Sequence, residues 1–329
     1  MSRPLTLPPS RTGARLLSTG SYLPERVVTN DELAATMATD DQWIRDRVGI
    51  VSRRIARSDE SLVDMAAAAG HAAITDAQLE PGDVDALILA TCTPPSPIPN
   101  IAAQVATALR TGDIAAFDLN TACAGFSYSI AVAADLVRAG TATNVLVVGA
   151  EKFSDWIDPT DRSTAIIFAD GAGAAVVGAA DAEHGPTIGP VAWGSSGDQY
   201  DAIIIPDRSS FLHQEGQAVF RWATTKVAPV ALRAVELAGL APADVDILVP
   251  HQANLRILES LARALRKAGA REDMLLARDI VHTGNTSAAS IPVALDHLRS
   301  SGAARSGQLA LLVGFGAGLS FAAQAVRLP

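Results

Sequence analysis

A segment of this chain recurs 161 positions further on, and this repeat limits the possible folds more than any other feature. Leu79–Ile88 (LEPGDVDALI) reappears as Leu240–Val249 (LAPADVDILV). An Ala-rich amphipathic stretch precedes each copy, Leu62–Ala77 or Ala223–Ala238. Both copies therefore predict a helix, a Pro-Xaa-Asp turn and a buried strand. Repeated units of this kind pack as related halves, so two homologous units are expected.

The same offset connects two later turns. It places Cys123 at position 284, one residue from Asn285. Each turn precedes a small-residue helical stretch and then an apolar strand pattern. In the first copy the helical stretch is Ala124–Ala139 and the strand pattern is Asn144–Ala150. In the second copy they are Thr286–Ser300 and Gln308–Gly314. Alternating strands and helices favour parallel sheets covered by helices. We predict two such α/β halves, at 13–184 and 185–329.

The composition and charge exclude several classes of protein. The 329 residues are 49 % hydrophobic but only 5 % aromatic, which is typical of aliphatic strands buried on both faces. The net charge of −9 argues against a general nucleic-acid role. No stretch reaches the ~18 apolar residues of a membrane helix. The first residues, Met1–Thr12, are polar and predict a flexible arm.

The cysteines and histidines argue against disulfides and metals. Two cysteines, Cys92 and Cys123, suit a reducing compartment, so a cytoplasmic location is expected. Six histidines include no HxxxH pair and the cysteines are far apart, so no metal site and no other cofactor is expected.

Cys123 is the first candidate for chemistry. It follows the apolar run Ile114–Phe117 and precedes a helical pattern, which places the thiol at a strand-to-helix turn. The free N–H groups and the dipole of a helix N-terminus stabilise a thiolate and lower its pKa. The alternative is a small buried core thiol, the commoner fate of a lone cysteine. Cys92 lacks this setting and is interpreted as structural.

His251 and Asn285 are the second and third candidates. His251 directly follows the second-copy strand, at the carboxyl end where open α/β sheets place ligands. A neutral imidazole there can donate to a developing enolate or accept a proton. Asn285 supplies an uncharged donor for negative charge on a thioester oxygen. The alternatives are a satisfied or surface histidine and an asparagine N-cap.

The Gly-rich turn Gly314–Gly318 closes the last strand pattern. Such a turn can bring a backbone N–H close to a ligand, as half of an oxyanion hole beside the Cys123 N–H. It lacks the GxGxxG spacing and the later ribose-binding acid of a dinucleotide loop.

Together, these motifs strongly resemble the β-ketoacyl-acyl-carrier-protein synthase III family over about 14–326. The segments that carry the resemblance are Gly20–Pro24, Asp41–Ile44, Thr121–Gly125, Asp158–Arg162, Val249–Arg256 and His282–Ser290. The resemblance implies a thiolase-like fold with two duplicated halves in a five-layer α-β-α-β-α arrangement. It also implies a homodimer that binds acyl-coenzyme A and malonyl-acyl carrier protein, with no nucleic acid and no membrane as partner.

The resemblance further implies a role for each site residue. Cys123 would take the acyl group, with the N–H groups of Cys123 and Ala317 as oxyanion hole, and His251 and Asn285 would act on the malonyl partner. Other matching residues fall into three groups: coenzyme A contacts at Trp43, Arg47, Arg162 and Asn254, an acyl pocket at Phe168 and Ile98, and carrier-protein contacts at Arg221, Arg256, Arg263, Arg266 and Lys267. Ile98 would come from the partner subunit.

Two departures and two alternatives accompany this interpretation. The family often has Gly-Gly-Gly where this chain has Gly316-Ala-Gly318, so Ala317 can serve only if its φ stays negative. Ile98 stands where relatives often carry Phe or Thr. The chain could instead prime or transfer acyl groups in a polyketide or other secondary-metabolite pathway. A non-catalytic scaffold that binds carrier protein is the remaining alternative. The acyl primer is not determined by the sequence.

Overall fold

The computed structural model describes residues 13–181 and 184–329; the predicted flexible arm, Met1–Thr12, lies outside the described residues. The strands are β1 (Ala14–Tyr22), β2 (Val27–Thr29), β3 (Ser52–Arg54), β4 (Ala86–Ala90), β5 (Ala115–Leu119), β6 (Asn144–Lys152), β7 (Asp170–Ala179), β8 (Ala192–Ser195), β9 (Ile203–Ile204), β10 (His213–Gln214), β11 (Ile247–Pro250), β12 (Leu275–Leu276), β13 (Leu309–Gly316) and β14 (Ser320–Arg327). The helices are α1 (Asn30–Ala34), α2 (Asp41–Val48), α3 (Leu62–Asp76), α4 (Ala102–Leu109), α5 (Gly125–Arg138), α6 (Gly216–Leu237), α7 (Leu255–Lys267), α8 (Ile280–Thr283) and α9 (Ser290–Ser300).

Two five-stranded sheets share one strand order. The first runs β1-β7-β6-β4-β5, and the second, read from its matching edge, runs β8-β14-β13-β11-β12. In each sheet four strands run in the same direction, and one strand, β7 or β14, runs antiparallel to both of its neighbours. The predicted parallel arrangement therefore holds for most strands of each sheet, but it is wrong for β7 and β14. Only Ala317–Leu319 connects β13 to β14, and a link this short cannot hold the crossover that parallel strands need.

The sheets lie on either side of the predicted boundary between the halves. β7 ends at Ala179 and β8 begins at Ala192. The division into 13–184 and 185–329 as two domains stays a prediction.

Side chains of each strand alternate between a central and an outer core. In β6, Val145 and Val147 join the central core with α5 and α9, whereas Leu146 and Val148 join an outer core with α3 and α4. The second sheet packs one face on the same central core and its other face on α6 and α7. The layers are thus α3 and α4, the first sheet, α5 and α9, the second sheet, then α6 and α7. The predicted five-layer architecture is confirmed.

The two halves match with two offsets rather than one. The 3₁₀ turns Pro81–Asp83 and Pro242–Asp244 keep the offset of 161, but β6 and β13 begin 165 residues apart. The 3₁₀ turns Ala122–Ala124 and Ser287–Ala289 are also 165 apart, and their first residues share positive φ values of 46° and 49°. Cys123 therefore corresponds to Ala288, and the predicted match beside Asn285 is wrong by four residues. The equivalent of Asn285 is Asn120.

Capping residues fix the ends of two neighbouring helices, α2 and α7. Asp40 accepts from the Trp43 N–H at 2.7 Å and starts α2, and Gly49 caps the C-terminus of this helix with φ of 78°. Asn254 accepts from the Arg256 N–H at 2.9 Å and starts α7. A Cβ on Gly49 would lie 2.4 Å from the Cβ of Leu255, so this glycine lets α2 and α7 meet.

Candidate active site

The thiol of Cys123 lies where a strand of the first sheet meets a central helix. β5 ends at Leu119, the 3₁₀ turn Ala122–Ala124 follows, and α5 begins at Gly125. Burial raises the pKa of Cys123 to about 12, although the neighbouring Ser287 hydroxyl acts in the opposite direction. The predicted lowering of the thiol pKa is therefore wrong, because loss of water around the thiolate raises the pKa by more than the helix N-terminus lowers it.

The last Gly-rich turn packs directly on this thiol. A Cβ on Gly316 would lie 2.6 Å from the Cβ and 3.0 Å from the Sγ of Cys123. Ala317 follows and lines the same cavity. Within 13–181 and 184–329, the residues other than glycine with positive φ are Gln78, Arg110, Ala122 and Ser287. Ala317 therefore keeps a backbone conformation that alanine adopts without strain, as its predicted role requires.

We expect Gly316→Ala to damage both the site and the fold. The added methyl group overlaps Cys123, so the turn must move, and overpacking of this kind costs about 1–3 kcal/mol. Alkylation of Cys123, followed by peptide mass spectrometry, should slow at least about tenfold if the turn is displaced. Gly82→Ala is the control, since nothing lies within 4 Å of its added Cβ. Equal melting temperatures and alkylation rates for the two variants would contradict this interpretation.

Asn285 lies two residues before the corresponding turn of the second half, Ser287–Ala289, with its amide held in one orientation. Its Oδ1 accepts from the Ser287 N–H at 2.8 Å, which leaves Nδ2 to donate into the cavity. Its backbone N–H donates to the Ile167 carbonyl at 2.9 Å, and its carbonyl accepts from the Ala169 N–H at 2.9 Å. The residue that caps α9 is Ala289, so the N-cap alternative is wrong for this helix.

His251 directly follows β11 and is fixed on three sides. Its backbone N–H donates to the Val313 carbonyl at 2.8 Å, and its ring Nδ1 lies 2.7 Å from Ser290 Oγ. Its ring also packs edge-on against the ring of Phe315, with 5.3 Å between the centroids. Burial lowers the pKa of His251 to about 3, while the Ser287 carbonyl raises it. The imidazole is therefore neutral at neutral pH, which is the form assigned to it from the sequence.

One cavity of about 730 Å³ brings the three candidates together. Cys123 enters from the first half, and His251 and Asn285 enter from the second. Three polar residues beside them, Ser287, Ser290 and Glu151, have no place in the sequence-based assignment. The two serines lie inside the segment His282–Ser290, so their position in that motif was the available signal. Glu151 continues a strand pattern and gave none.

Arginine and tryptophan side chains form the mouth of the cavity. The guanidinium carbon of Arg162 lies 4.5 Å from the Trp43 ring centroid, and that of Arg47 lies 5.2 Å from it. Arg162 also donates to the Ala38 carbonyl at 2.6 Å. Asn254 lines the cavity and donates to the Arg47 carbonyl at 3.3 Å. A nucleobase that binds between Trp43 and Arg162 would first have to separate the two side chains, because they stack on each other in this structure.

The inner part of the cavity is apolar. Phe168 lies 4.7 Å from Phe153 between ring centroids, and Leu212 and Cys92 complete this side. Ile98 does not line the cavity of its own chain, and its side chain is 83 % exposed. Its predicted contribution to a partner's pocket stays a prediction.

The predicted carrier-protein residues divide into two groups. Arg221 and Arg256 line the cavity mouth, with Arg256 5.6 Å from the Phe220 ring centroid. Arg263 and Lys267 are exposed further along α7. Arg266 is half-buried and donates to the Met274 carbonyl at 3.1 Å, and its predicted contact with carrier protein stays a prediction.

The described part of the chain has neither a cluster of metal ligands nor a helix that could span a membrane. Within 13–181 and 184–329, no group of three or more His, Cys, Asp and Glu side chains could hold a metal ion. None of the helices in these ranges has the length and apolarity to cross a bilayer.

Comparison with known proteins identifies the family. The family model of 3-oxoacyl-[acyl-carrier-protein (ACP)] synthase III matches residues 117–197. The model of the C-terminal domain of the same family matches residues 235–328. A mycobacterial β-ketoacyl-[acyl-carrier-protein] synthase III of Mycobacterium avium is 49 % identical over 329 residues, with 97 % of this chain and 96 % of the relative covered. β-Ketoacyl-[acyl-carrier-protein] synthase III 4 of Streptomyces coelicolor is 48 % identical, with 96 % and 99 % covered.

A solved structure agrees with these relatives. The priming β-ketosynthase from the R1128 polyketide biosynthetic pathway superposes with a TM-score of 0.93, at 41 % identity and with 99 % of each chain covered. The fold, the shared cavity and these similarities over nearly the full length lead to one conclusion: this chain belongs to the β-ketoacyl-acyl-carrier-protein synthase III family.

Proposed function

We propose that this enzyme condenses an acyl group from acyl-coenzyme A with the malonyl group of malonyl-acyl carrier protein. The products would be a 3-oxoacyl-acyl carrier protein, CO₂ and free coenzyme A, at the start of fatty acid biosynthesis. One observation carries the proposal: Cys123, His251 and Asn285 converge from both halves on a single cavity with a cationic mouth and an apolar interior. The names of the relatives agree with it.

In the first half-reaction the Cys123 sulfur attacks the thioester carbonyl. A new carbon–sulfur bond forms, the bond to coenzyme A breaks, and the departing thiolate takes a proton. The N–H groups of Cys123 and Ala317 would stabilise the oxyanion that forms on the carbonyl oxygen. The close packing of Gly316 on Cys123 supports this role, since it holds the Ala317 turn against the thiol.

In the second half-reaction the malonyl carboxylate leaves as CO₂. The electron pair of the broken carbon–carbon bond moves into a thioester enolate, whose oxygen would accept hydrogen bonds from His251 and Asn285. The enolate carbon then attacks the acyl group and releases the Cys123 sulfur. Two neutral donors suit this step, because they stabilise charge that develops only at the transition state. The ring of Phe168 would disfavour a malonyl carboxylate near Cys123 during the first step.

Binding of the two substrates would use different parts of the mouth. Coenzyme A would enter past Trp43, Arg47, Arg162 and Asn254, with the Trp43–Arg162 stack opening around adenine. Acidic carrier protein would approach Arg221 and Arg256, followed by Arg263 and Lys267 on the exposed face of α7. Arginine and lysine side chains are suited to phosphate and carboxylate partners.

A homodimer is part of this proposal. β5 is an edge strand, and its Phe117 is exposed, as is Ile98 on the loop before α4. An unpaired strand edge with apolar side chains favours pairing with another chain. Sedimentation velocity at micromolar concentration should show a dimer, and a monomer would refute this part. We also propose a cytoplasmic location, supported by the free thiols of Cys92 and Cys123.

A second candidate function is the priming of a polyketide. The similarity to the R1128 priming β-ketosynthase favours it, since that structure covers 99 % of this chain. The chemistry at Cys123, His251 and Asn285 would be the same, and only the primer and the carrier protein would differ.

Two measurements on purified protein test the proposal. Intact-mass spectrometry across a panel of coenzyme A thioesters should show one acyl group added at Cys123 and should identify the preferred primer. Malonyl-acyl carrier protein should then release CO₂ and form the 3-oxoacyl product. The proposal fails if no thioester acylates the protein and no CO₂ is released. Comparing carrier proteins of fatty acid and polyketide pathways separates the two candidate functions.

A further inference from the structure

Glu151 is a buried carboxyl group that the reaction scheme above does not use. It lies near the end of β6 in the first sheet, is 0 % exposed, and takes part in no ion pair within 13–181 and 184–329. Its oxygens accept only from uncharged groups. These are Thr91 Oγ1 at 3.1 Å, Thr93 Oγ1 at 2.6 Å, the Cys92 N–H at 3.1 Å, Cys92 Sγ at 3.2 Å and Ser287 Oγ at 3.0 Å. A carboxyl group buried without a cation adds little to stability, so stability alone does not explain it.

Ser287 connects Glu151 to the amide of Asn285. The Ser287 hydroxyl donates to Glu151 Oε1 at 3.0 Å, and its backbone N–H donates to Asn285 Oδ1 at 2.8 Å. Ser287 has a φ of 49°, in the left-handed region that residues other than glycine seldom adopt. One residue in an uncommon conformation is therefore held between a carboxyl group of the first half and the amide of the second.

The strand that carries Glu151 also supports the turn by packing. A Cβ on Gly149 would lie 2.3 Å from the carbonyl oxygen of Ala288, so this glycine lets the turn rest directly on β6. Glu151 lies two residues further along the same strand, and its hydrogen bond to Ser287 fixes the neighbouring position of the turn. Packing and hydrogen bonding together set the position of the turn relative to the first sheet.

The first half contains the same turn without this hydrogen bond. Asn120 Oδ1 accepts from the Ala122 N–H at 3.1 Å, and Ala122 has a φ of 46°. Ala122 corresponds to Ser287 at the offset of 165, and it has no hydroxyl group. At the same offset Gly316 corresponds to Glu151, and it has no side chain. The turn can therefore form without the contact, and the contact between Glu151 and Ser287 is present in the second half only.

We propose that Glu151 is a positioning residue for the second half-reaction: through the Ser287 hydroxyl it fixes the turn that directs the Asn285 amide towards the enolate. Glu151 acts only through Ser287 and takes no part in bond formation or proton transfer. The inference rests on the proposed function, since that function gives Asn285 its role as a hydrogen-bond donor to the malonyl thioester.

The direction of the Asn285 amide depends on this turn. The backbone of Asn285 is bound to the Ile167 carbonyl and to the Ala169 N–H, each at 2.9 Å, but these contacts leave the side chain free to rotate. Only the Ser287 N–H, among the described contacts, holds Oδ1 and so leaves Nδ2 to donate. A misplacement of a reacting group by about 1 Å can cost on the order of 100-fold in rate. A displaced turn should therefore slow the step that uses Nδ2.

Ser287→Ala tests the proposal directly. The variant loses the hydroxyl but can keep the turn, because alanine adopts the same conformation at Ala122. Release of CO₂ from malonyl-acyl carrier protein should fall by about 10–100-fold, which is the cost of a displaced donor rather than a missing one. Acylation of Cys123 by acyl-coenzyme A should stay within a few-fold of wild type. Unchanged CO₂ release, or an equal loss of acylation, overturns the proposal.

Two further variants accompany this test. Ser129→Ala is the matched control: Ser129 is 0 % exposed, and its hydroxyl has no hydrogen-bond partner within 13–181 and 184–329. Both of its half-reactions should keep the wild-type rate. Glu151→Ala removes the other partner of the contact and should show the same selective loss as Ser287→Ala. The Ser287→Ala result decides the question where Glu151→Ala fails to fold.

A double variant separates positioning from a general structural effect. In Asn285→Ala the amide is absent, so the addition of Ser287→Ala should reduce CO₂ release no further. A residue that only supports the fold would cause the same loss in both backgrounds. Losses that multiply in the double variant therefore overturn the proposal.

A measurement without substrate separates this proposal from the proposed function. In protein with isotope-labelled asparagine, alanine variants assign the side-chain amide NMR signals of Asn285 and Asn120. In Ser287→Ala the Asn285 signal should shift or broaden, whereas the Asn120 signal should not, since its turn lacks the contact. An unchanged Asn285 signal overturns the positioning role even if the enzyme condenses normally. If wild-type protein shows neither half-reaction, the proposed function fails, and the amide signals still test the contact.

Discussion

Cys123→Ala is expected to abolish acyl transfer from every coenzyme A thioester. The side chain that forms the covalent bond is gone, and no other thiol can replace it, since Cys92 is turned towards Glu151 at 3.2 Å. Removing a nucleophile of this kind costs about 10⁴-fold or more in rate. Intact-mass spectrometry after incubation with acyl-coenzyme A should show the unmodified mass.

The same variant contains its own control. His251 and Asn285 are held by Ser290, Val313 and Ser287, and none of these contacts involves the Cys123 thiol. Cys123→Ala should therefore still release CO₂ from malonyl-acyl carrier protein at a measurable rate. If acyl mass still appears on the variant, the nucleophile has been assigned wrongly. If the variant neither melts cooperatively nor binds malonyl-acyl carrier protein, the loss reflects folding.

His251→Ala and Asn285→Ala are expected to separate the two half-reactions. Neither residue takes part in the attack on the acyl-coenzyme A carbonyl, so acylation of Cys123 should stay within a few-fold of wild type. Each supplies a hydrogen bond to the enolate, and losing one such donor costs about 10²–10³-fold in rate. Release of CO₂ from malonyl-acyl carrier protein should fall by that amount in each variant.

His282→Ala is the matched control for the histidine. His282 is exposed and does not line the cavity, although it lies three residues before Asn285. Both half-reactions should remain at the wild-type rate in this variant. Equal loss of acylation and CO₂ release in His251→Ala or Asn285→Ala would instead indicate that the residue holds the site together.

Much of the architecture could be predicted from the repeat. The pattern around Leu79–Ile88 and Leu240–Val249 placed strand, turn and helix correctly because each copy buries the same periodic apolar positions. Strand direction could not be predicted in this way. Alternation of apolar residues is the same for both directions, and only the short connection Ala317–Leu319 makes β14 antiparallel. The four-residue difference between the two offsets could not be seen in the sequence either, because it interrupts no strand or helix pattern.

The candidate residues were likewise predicted in part. The three candidates follow the ends of strands or helices and have turn-forming neighbours: Cys123, His251 and Asn285. The local sequence is therefore enough to identify them as candidates for a functional site. The roles of Glu151 and Ser290 could not be predicted, even though Ser290 lies inside a recognised motif, because they depend on residues more than thirty positions away. Ser290 meets His251 across 39 positions, and Ser287 meets Glu151 across 136.

The sequence by itself determined the duplicated α/β fold, the family and the identity of the three converging side chains. The tertiary structure alone decided their electrostatic state. Burial removes water from Cys123, His251 and Glu151 together, which raises the pKa of the thiol and of the carboxyl and lowers that of the imidazole. Desolvation depends on everything packed around a group, whereas a helix N-terminus or a motif is local. For this reason the sequence predicted a low thiol pKa, and the folded chain gives a high one.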